Sequence, residues 1–460
     1  MKTRNTLAPV SPLAPARALR RGQTKLAAAL AGVAISTVVL PVQAQSLQEV
    51  LQAARGYDAT FLSALSQFEA SKARAAQADA GVLPQVSLNG GASLTHSDSS
   101  LPGQDRTTNA QNLTLGASQP LYRPANRLAV EQAQRSLLAA EAQLRSAEQE
   151  LVVRTAQTYF DVLAAEDNLT FVQAQKTAVE QQLAAAKRNF EVGTSTITDT
   201  REAQARFDLV RAQEIAAEND LRVKKLALDQ LVGRSGTQPW SLRAGAGLPA
   251  LQPDTVDAWV SRAHAEHPQI RQIQAAMDIA QLETRRAQAG RLPTVDATAQ
   301  YQVARGYATS AATYARTNNA TIGIQFNLPL YTGGAVQNRI AEAVALEEKS
   351  RTDLEAAKRN IAQATRTAYF GVVSGTGQVR ALEAAEASSQ SALDANQLGY
   401  QVGVRINIDV LNAQSQLFQT KASLAKARYD VLVGGLRLRQ ASGVLTPDDV
   451  QPINALLSAR

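Results

Sequence analysis

Cysteine is absent from the 460 residues of this chain, and histidine occurs only three times. The lack of cysteine excludes a disulfide scaffold, a thiolate metal site and a cysteine nucleophile. It also excludes a lipid anchor at the mature N-terminus, because that attachment requires a cysteine. His264 and His267 lie three residues apart beside Glu266, but a metal ion needs more ligands than these. The sequence therefore predicts no metal site and no cofactor.

The motifs of common enzymes are also missing. The sequence contains neither a phosphate-binding P-loop nor a recognisable pairing of a nucleophile with a base. We therefore expect that the protein is not an enzyme and that it has no energy source of its own.

Positive charge is concentrated at one end of the chain. The formal net charge is +7, but residues 1–44 contain no acidic residue. They contain six of the basic residues: Lys2, Arg4, Arg17, Arg20, Arg21 and Lys25. The rest of the chain has a net charge of about +1. The sequence thus predicts no nucleic-acid partner.

Long apolar runs are limited to one, at residues 26–40. It follows a basic segment and precedes the small-residue sequence Val42-Gln43-Ala44, which is the arrangement of a secretory signal peptide. We predict that residues 1–44 are this signal. A membrane-spanning helix is the alternative, but it needs about 20 apolar residues. If the mature chain enters a membrane, it must therefore do so as a β-barrel.

The mature sequence contains an internal repeat. Pro120-Leu121-Tyr122 recurs as Pro329-Leu330-Tyr331 at an offset of 209, and Val192-Gly193 recurs as Val402-Gly403 at an offset of 210. An ordered series at a nearly constant offset indicates two similar structural units. We predict a first repeat over residues 45–233, a linker over 234–253, a second repeat over 254–443 and a C-terminal tail over 444–460. Each repeat is predicted to contain a helix, two strands, a long helix and a shorter helix.

Two segments in each repeat alternate apolar and polar residues, which is typical of strands with one apolar face. About ten such residues are also the length that crosses a bilayer when the strand is tilted. The apolar positions are Val86, Leu88, Ala92 and Leu94; Leu113, Leu115 and Ala117; Val295, Ala297, Ala299, Tyr301 and Val303; and Ala320, Ile322, Ile324, Phe326 and Leu328. The polar stretches near 97–109 and 304–317 are the predicted external loops.

The remaining sequence has helical heptads. Val410, Leu417, Leu424, Val431 and Leu438 recur every seven residues, and such a spacing predicts helices packed along their length. Considered without the strands, the helices favour a soluble periplasmic coiled-coil adaptor.

Helix lengths suggest how the pieces stack. The predicted helices at about 124–191 and 335–401 would each be about 100 Å long. The helices near 199–231 and 254–290 together match one long helix, as do those near 46–80 and 409–441. We therefore expect each pair to stack end to end, with the linker and tail forming an equatorial belt at the joints.

Four strands leave two open edges, which lipid does not tolerate. Eight strands from a dimer would enclose only side chains, whereas twelve strands from a trimer enclose an aqueous lumen. The predicted fold is therefore a trimeric 12-stranded transmembrane β-barrel, with four strands per chain, that continues into a long α-helical coiled-coil barrel.

This combination resembles the TolC family of outer-membrane channel-tunnels across the mature chain. Its most specific parts are residues 399–411, GYQVGVRINIDVL, and residues 425–429, AKARY. The resemblance implies a homotrimer in the outer membrane of a Gram-negative cell that extends into the periplasm. It also implies a periplasmic adaptor and an inner-membrane ABC or proton-driven transporter as partners. The cargo would be proteins, by type I secretion, or small toxic molecules.

The same resemblance implies a periplasmic aperture. Tyr400 and Arg405 match the family's constricting residues, and Thr198 and Asp199 match their acceptors. Asp409 matches an acidic ring, whereas Asn412 stands where the family pattern has a second Asp. A Tyr hydroxyl and a guanidinium can both donate to one carboxylate. The alternative, which does not exclude this role, is that Asp199 and Asp409 are helix N-caps.

Overall fold

The computed structural model describes residues 44–98, 106–243, 245–307 and 313–458. The predicted signal peptide, apart from Ala44, and parts of the predicted external loops lie outside these residues. The helices are α1 (Leu47–Tyr57), α2 (Ala59–Asp79), α3 (Pro124–Glu191), α4 (Ile197–Val232), α5 (Val256–Glu266), α6 (Pro268–Ala289), α7 (Ala335–Gln401), α8 (Asn407–Ala441) and α9 (Gln451–Asn454). The strands are β1 (Gln85–Ser97), β2 (Arg106–Tyr122), β3 (Ser241–Leu242), β4 (Thr294–Tyr307), β5 (Tyr314–Asn327) and β6 (Leu457–Ser458).

The two long helices have the predicted bounds. Helix α3 contains 68 residues and α7 contains 67. Pro124 begins α3, in the first-turn position where proline's missing N–H costs nothing and its fixed φ suits the helix. Within the described residues, none of the helices has the length and apolar character needed to cross a membrane.

The predicted helices over 46–80 and 254–290 are each divided in two. Asp58 leaves the helical conformation, and its carboxylate accepts a hydrogen bond from Phe61 N at 2.8 Å. His267 does the same before Pro268, and its Nδ1 accepts from Gln269 N at 3.1 Å. Proline disfavours a helical residue before it, so the single helix predicted over 254–290 was wrong.

The short helices also stack in a different order from the one predicted. Gly233, which ends α4, lies against the ring of Tyr57, two residues before α2. Gly443, just after α8, lies against the backbone of His267, which precedes α6. The stacks are therefore α4 with α2 and α8 with α6. Helix length could not distinguish the two arrangements, because α2 and α6 contain 21 and 22 residues and α4 and α8 contain 36 and 35.

Four long strands form one antiparallel sheet in the order β1-β2-β4-β5. Its register places apolar residues in rows across all four strands. One row contains Val86, Ala117, Ala299 and Ile322, and the next contains Leu88, Leu115, Tyr301 and Ala320. The intervening row is Ser87, Gly116, Gln300 and Thr321. Because side chains alternate along a strand, one face of the sheet is apolar and the other is polar.

A half-buried ion pair joins the start of α3 to this sheet. Arg123 follows β2, and its Nε and Nη2 donate to Asp296 Oδ1 and Oδ2 in β4 at 2.7 and 2.6 Å. The Asp296 side chain is only 8% exposed. Such a two-point contact fixes the direction of the guanidinium as well as its distance. The ion pair thus ties the residue between β2 and α3 to the neighbouring strand β4.

The largest apolar core surrounds the middle of α3. It contains α3 residues such as Leu151, Tyr159 and Leu163, together with residues of α1, the end of α4, α8 and the C-terminal tail. Two short strands join the linker to the tail, with Ser241 paired to Ser458 and Leu242 to Leu457. The linker and the tail therefore meet beside the joints of the stacked helices.

We expect the joint between α8 and α6 to be sensitive to a single methyl group. Gly443 has φ of +73°, and an added Cβ would lie 2.3 Å from His267 Cα. Gly236 has φ of +81°, but an added Cβ there meets no atom within 4 Å. Gly236→Ala should cost about 1–2 kcal/mol for the left-handed backbone alone. Gly443→Ala should cost about 1–3 kcal/mol more, because backbone atoms must move.

Urea unfolding followed by fluorescence of Trp240 and Trp259 measures both variants. Equal destabilisation by the two substitutions would contradict the tight contact at this joint.

Candidate functional site

The two helical hairpins of the chain end in turns of the same construction. Helix α3 turns into α4 through residues 192–196, and α7 turns into α8 through residues 402–406. Thr194 N donates to Asn189 O at 2.8 Å, and Val404 N donates to Gly399 O at 2.9 Å. Gly193 and Gly403 have φ of +76° and +77°. This is the Schellman ending of a helix, in which glycine adopts the left-handed conformation without steric cost.

At the first tip, Asp199 belongs to a capping box. Thr196 is the N-cap of α4, and its Oγ1 accepts from Asp199 N at 3.2 Å. In return, Asp199 Oδ2 accepts from Thr196 N at 3.0 Å and from Ser195 Oγ at 2.7 Å. Asp199 is therefore the third helical residue and not the N-cap itself, while Thr198 beside it is exposed.

These contacts lower the pKa of the Asp199 carboxyl. The donation from Ser195 is the largest cause, opposed by partial burial, with further lowering from Thr196. A carboxyl with a lowered pKa in the folded state stabilises that state above its unfolded pKa, and the stabilisation is lost as the pH falls through the folded value. The cap is thus complete at neutral pH.

At the second tip, the corresponding cap is incomplete. Ile406 is the N-cap of α8 and has no side-chain oxygen to accept from Asp409 N. Asp409 Oδ2 accepts from Ile406 N at 3.5 Å and lies 3.7 Å from Arg405 Nη1. Both side chains of this ion pair are partly exposed, so the pair adds little stability. The second tip is therefore held less firmly by its own residues than the first.

The other predicted aperture residues have partners that the sequence did not indicate. Tyr400 Oη accepts from Asn189 Nδ2 at 3.2 Å, and Asn412 Oδ1 accepts from Arg206 Nη2 at 2.8 Å. Within the described protomer, neither Tyr400 nor Arg405 donates to Asp199. The contact of these two residues with Thr198 and Asp199 stays a prediction.

Besides Asn189 and Arg206, four further residues at the interface between the two hairpins escaped the sequence analysis. Asn407 is buried, its Oδ1 accepts from Gln182 Nε2, and its Nδ2 donates to the backbone oxygen of Asp199 at 3.4 Å. Further along, Gln175 Nε2 donates to Ser415 Oγ at 3.1 Å. Polar side chains at seven-residue intervals on α3 were the available signal, because that spacing keeps them on one face of a coiled coil.

Two apolar clusters also involve residues of the hairpins near the tips. One contains Val179, Leu183, Ala186, Ala203, Val210 and Leu411. The other contains Leu393, Val410 and Leu417, with Tyr400 packed against it. Residues of α8 belong to both clusters, so α8 is the helix that joins the two hairpins.

Comparison with known proteins places the chain among channel proteins of the outer membrane. The model of the family "Outer membrane efflux protein" matches residues 50–234 and 259–444. "Outer membrane protein TolC" of Vibrio cholerae is 31% identical, and the alignment covers 94% of this chain and 98% of that protein. "Alkaline protease secretion protein AprF" of Pseudomonas aeruginosa is 32% identical, with 86% and 84% covered.

A solved structure shows the same fold. The outer membrane protein VceC from Vibrio cholerae superimposes with a TM-score of 0.73 and 20% sequence identity, covering 86% of this chain and 96% of that one. The two proteins therefore share a fold although only 20% of their sequence is identical. Together with the family match over most of the chain, these likenesses show that the chain belongs to the outer membrane efflux protein family.

Proposed function

We propose that this chain is the outer-membrane exit duct of a tripartite export system. It would carry proteins by type I secretion, or small toxic molecules, from an inner-membrane transporter and a periplasmic adaptor to the outside of the cell. The observation that carries this proposal is the amphipathic four-stranded sheet joined to two helical hairpins. As a member of a family of outer-membrane channel proteins, the chain is not an enzyme.

The sheet supports insertion in the outer membrane. Its strands contain 13, 17, 14 and 14 residues, which is more than the 9–11 or so that a tilted strand needs to cross a bilayer. Leu88 is 65% exposed and Ile322 is 90% exposed, in neighbouring rows on the apolar face. A soluble coiled-coil adaptor, the alternative reading, would leave this apolar face in water.

The open edges of the sheet support a homotrimer. In one chain, β1 and β5 each have a single neighbour, and unpaired strand edges are not tolerated in lipid. Three chains would close a barrel of twelve strands, and their helices would form the coiled-coil barrel below it. The linker 234–253 and the tail 444–460 would then lie in an equatorial belt around the joints of the stacked helices.

The relatives support an export role in two forms. AprF is named for secretion of alkaline protease, and PrtF of Dickeya chrysanthemi, 28% identical, is named for secretion of proteases. "Outer membrane efflux protein BepC" of Brucella suis is also 28% identical. Both forms need an adaptor and either an ABC or a proton-driven transporter, because the duct supplies no energy.

A deletion strain and the purified protein test this proposal together. Loss of the gene should abolish secretion of at least one protein or increase sensitivity to toxic compounds. Returning the wild-type gene should reverse either effect. The mature protein should be found in outer-membrane fractions and migrate in detergent as a heat-labile trimer. A monomer that forms pores by itself would contradict the proposed architecture.

We expect the double variant Tyr400→Phe with Arg405→Ser to loosen the closed tip. The two changes remove the hydroxyl that accepts from Asn189 and the guanidinium that pairs with Asp409, while leaving the apolar heptads intact. In planar bilayers, the ratio of open to closed channels should rise about tenfold, which corresponds to about 1.4 kcal/mol.

Arg366→Ser is the matched control, because Arg366 is exposed on α7, away from the tip. If the open-to-closed ratio of the double variant equals that of the wild type while its trimer is intact, closure depends on other residues.

Asp409 should form a ring of three carboxylates near the trimer axis. Like charges in a narrow space repel each other, and a multivalent cation relieves that repulsion. Trivalent ions added on the periplasmic side should therefore block the pore, weakly in Asp409→Ala and more strongly in Asn412→Asp, which adds a second ring. Equal blocking affinity in Asp409→Ala and the wild type would assign Asp409 to helix capping alone.

A further inference from the structure

Two arginines interrupt the apolar face of the four-stranded sheet. Arg305 in β4 and Arg316 in β5 lie directly opposite each other in the antiparallel register. Arg305 is two residues beyond Val303 and four beyond Tyr301, and side chains on a strand alternate between the two faces. The two arginines therefore belong to the apolar face of the sheet, and both side chains are exposed.

The arginines lie at the end of the sheet that is farthest from the helices. Arg305 follows Val295, near the helical end of β4, by ten residues. Ten residues of a strand span about 34 Å, or about 26 Å along the membrane normal at a tilt of about 40°. The apolar band of outer-membrane barrels is about 25 Å tall. The arginines thus lie where the apolar band ends, at the level of the headgroups of the outer leaflet.

Two amide side chains accompany the arginines on the same face. Arg316 Nε donates to Asn318 Oδ1 at 3.3 Å, which holds the guanidinium along the strand. Gln111 in β2 is the register partner of Arg305 on the other side, and its side chain is exposed. We refer to Gln111, Arg305, Arg316 and Asn318 as the arginine patch. Its members place several hydrogen-bond donors side by side.

The positive charge of the patch is not neutralised within the described residues, where neither Arg305 nor Arg316 contacts a carboxylate. Asp296 in β4 is held in its ion pair at the opposite end of the sheet. Asp98, after β1, lies 2.9 Å from His96. Like charges directly opposite each other in an antiparallel pair destabilise it. An anion bound between the two guanidinium groups would remove this repulsion.

We propose that the arginine patch binds the phosphate groups of a lipid headgroup in the outer leaflet of the membrane. This proposal rests on the proposed duct function and adds a specific lipid contact to it. A guanidinium presents two parallel N–H groups that match two phosphate oxygens. The acyl chains of the same lipid would lie along the apolar rows beside the patch, where Ile322 is 90% exposed and Ile324 is 74% exposed. These rows favour a lipid over free phosphate as the ligand.

Lipid A with both phosphates and lipid A with both phosphates removed are the probes. Each is added to the full-length mature trimer in uncharged detergent, and native mass spectrometry counts the molecules bound. The wild type should bind the phosphorylated form about 30-fold more tightly, since each basic residue beside an anionic lipid contributes a factor of about five. Equal binding of the two forms would overturn the proposal.

The double variant Arg305→Gln with Arg316→Gln should lose most of this preference for phosphate. Glutamine keeps hydrogen-bond donors in both strands but removes both charges. Arg366→Gln with Arg380→Gln is the matched control, because it removes the same charge from exposed positions on α7. The control should bind as the wild type does. A glutamine variant of the patch that retains the full wild-type preference would overturn the proposal.

A lysine variant keeps the test independent of any folding defect in the glutamine variant. Arg305→Lys with Arg316→Lys retains both charges and loses the planar guanidinium fork. It should keep a preference for the phosphorylated lipid of several-fold, below that of the wild type. If the lysine variant forms a heat-labile trimer without any preference, the charges of the patch do not bind phosphate and the proposal fails.

The outcomes also distinguish the arginine patch from the function on which it rests. Absence of trimeric pores in the wild type would contradict the duct. Trimeric pores that bind both forms of lipid A equally would contradict the arginine patch alone. If the glutamine variant then also dissociates at a lower temperature than the control, the arginines pair with the adjoining chain instead of with lipid.

Discussion

Burial of the middle of α3 is the contact on which the rest of the described structure depends. Residues between Leu151 and Leu163 pack against α1, the end of α4, α8 and the C-terminal tail. In proteins, most of the stability of a helix such as the 68-residue α3 comes from packing of its apolar face rather than from helix propensity. Because all these segments meet at one level, the stacked helices meet there too, and the linker joins the tail beside them.

The two ends of the chain's long helices make different kinds of contact. Toward the sheet, Arg123 and Asp296 form a two-point ion pair at a half-buried corner. Toward the tips, the contacts between hairpins include amides and hydroxyls, together with the Arg206 guanidinium that donates to Asn412. A two-point ion pair is strong and directional, whereas neutral hydrogen bonds are each worth about 1 kcal/mol net.

The two repeats are alike in backbone and unlike in side chains at the tips. Gly193 and Gly403 end their helices in the same conformation, but Thr196 caps α4 with its hydroxyl and Ile406 offers none to α8. Asn407 follows Ile406 and takes its partners from the first hairpin. The second tip therefore obtains hydrogen bonds from the first hairpin, whereas the first tip forms its capping hydrogen bonds within its own turn.

The sequence by itself determined the family, the two long helices to the residue and the four strands, because periodicity and proline reflect local geometry. The resemblance of its motifs to a known family also indicated Tyr400, Arg405, Asp199 and Asp409 as tip residues. It did not determine which short helices stack, because their lengths are nearly equal in pairs. Nor did it determine that Asn407 would meet Gln182 and Asp199, or that Asn412 would meet Arg206. Those partners are about two hundred residues away, and only the packing of one hairpin on the other brings them within hydrogen-bonding distance.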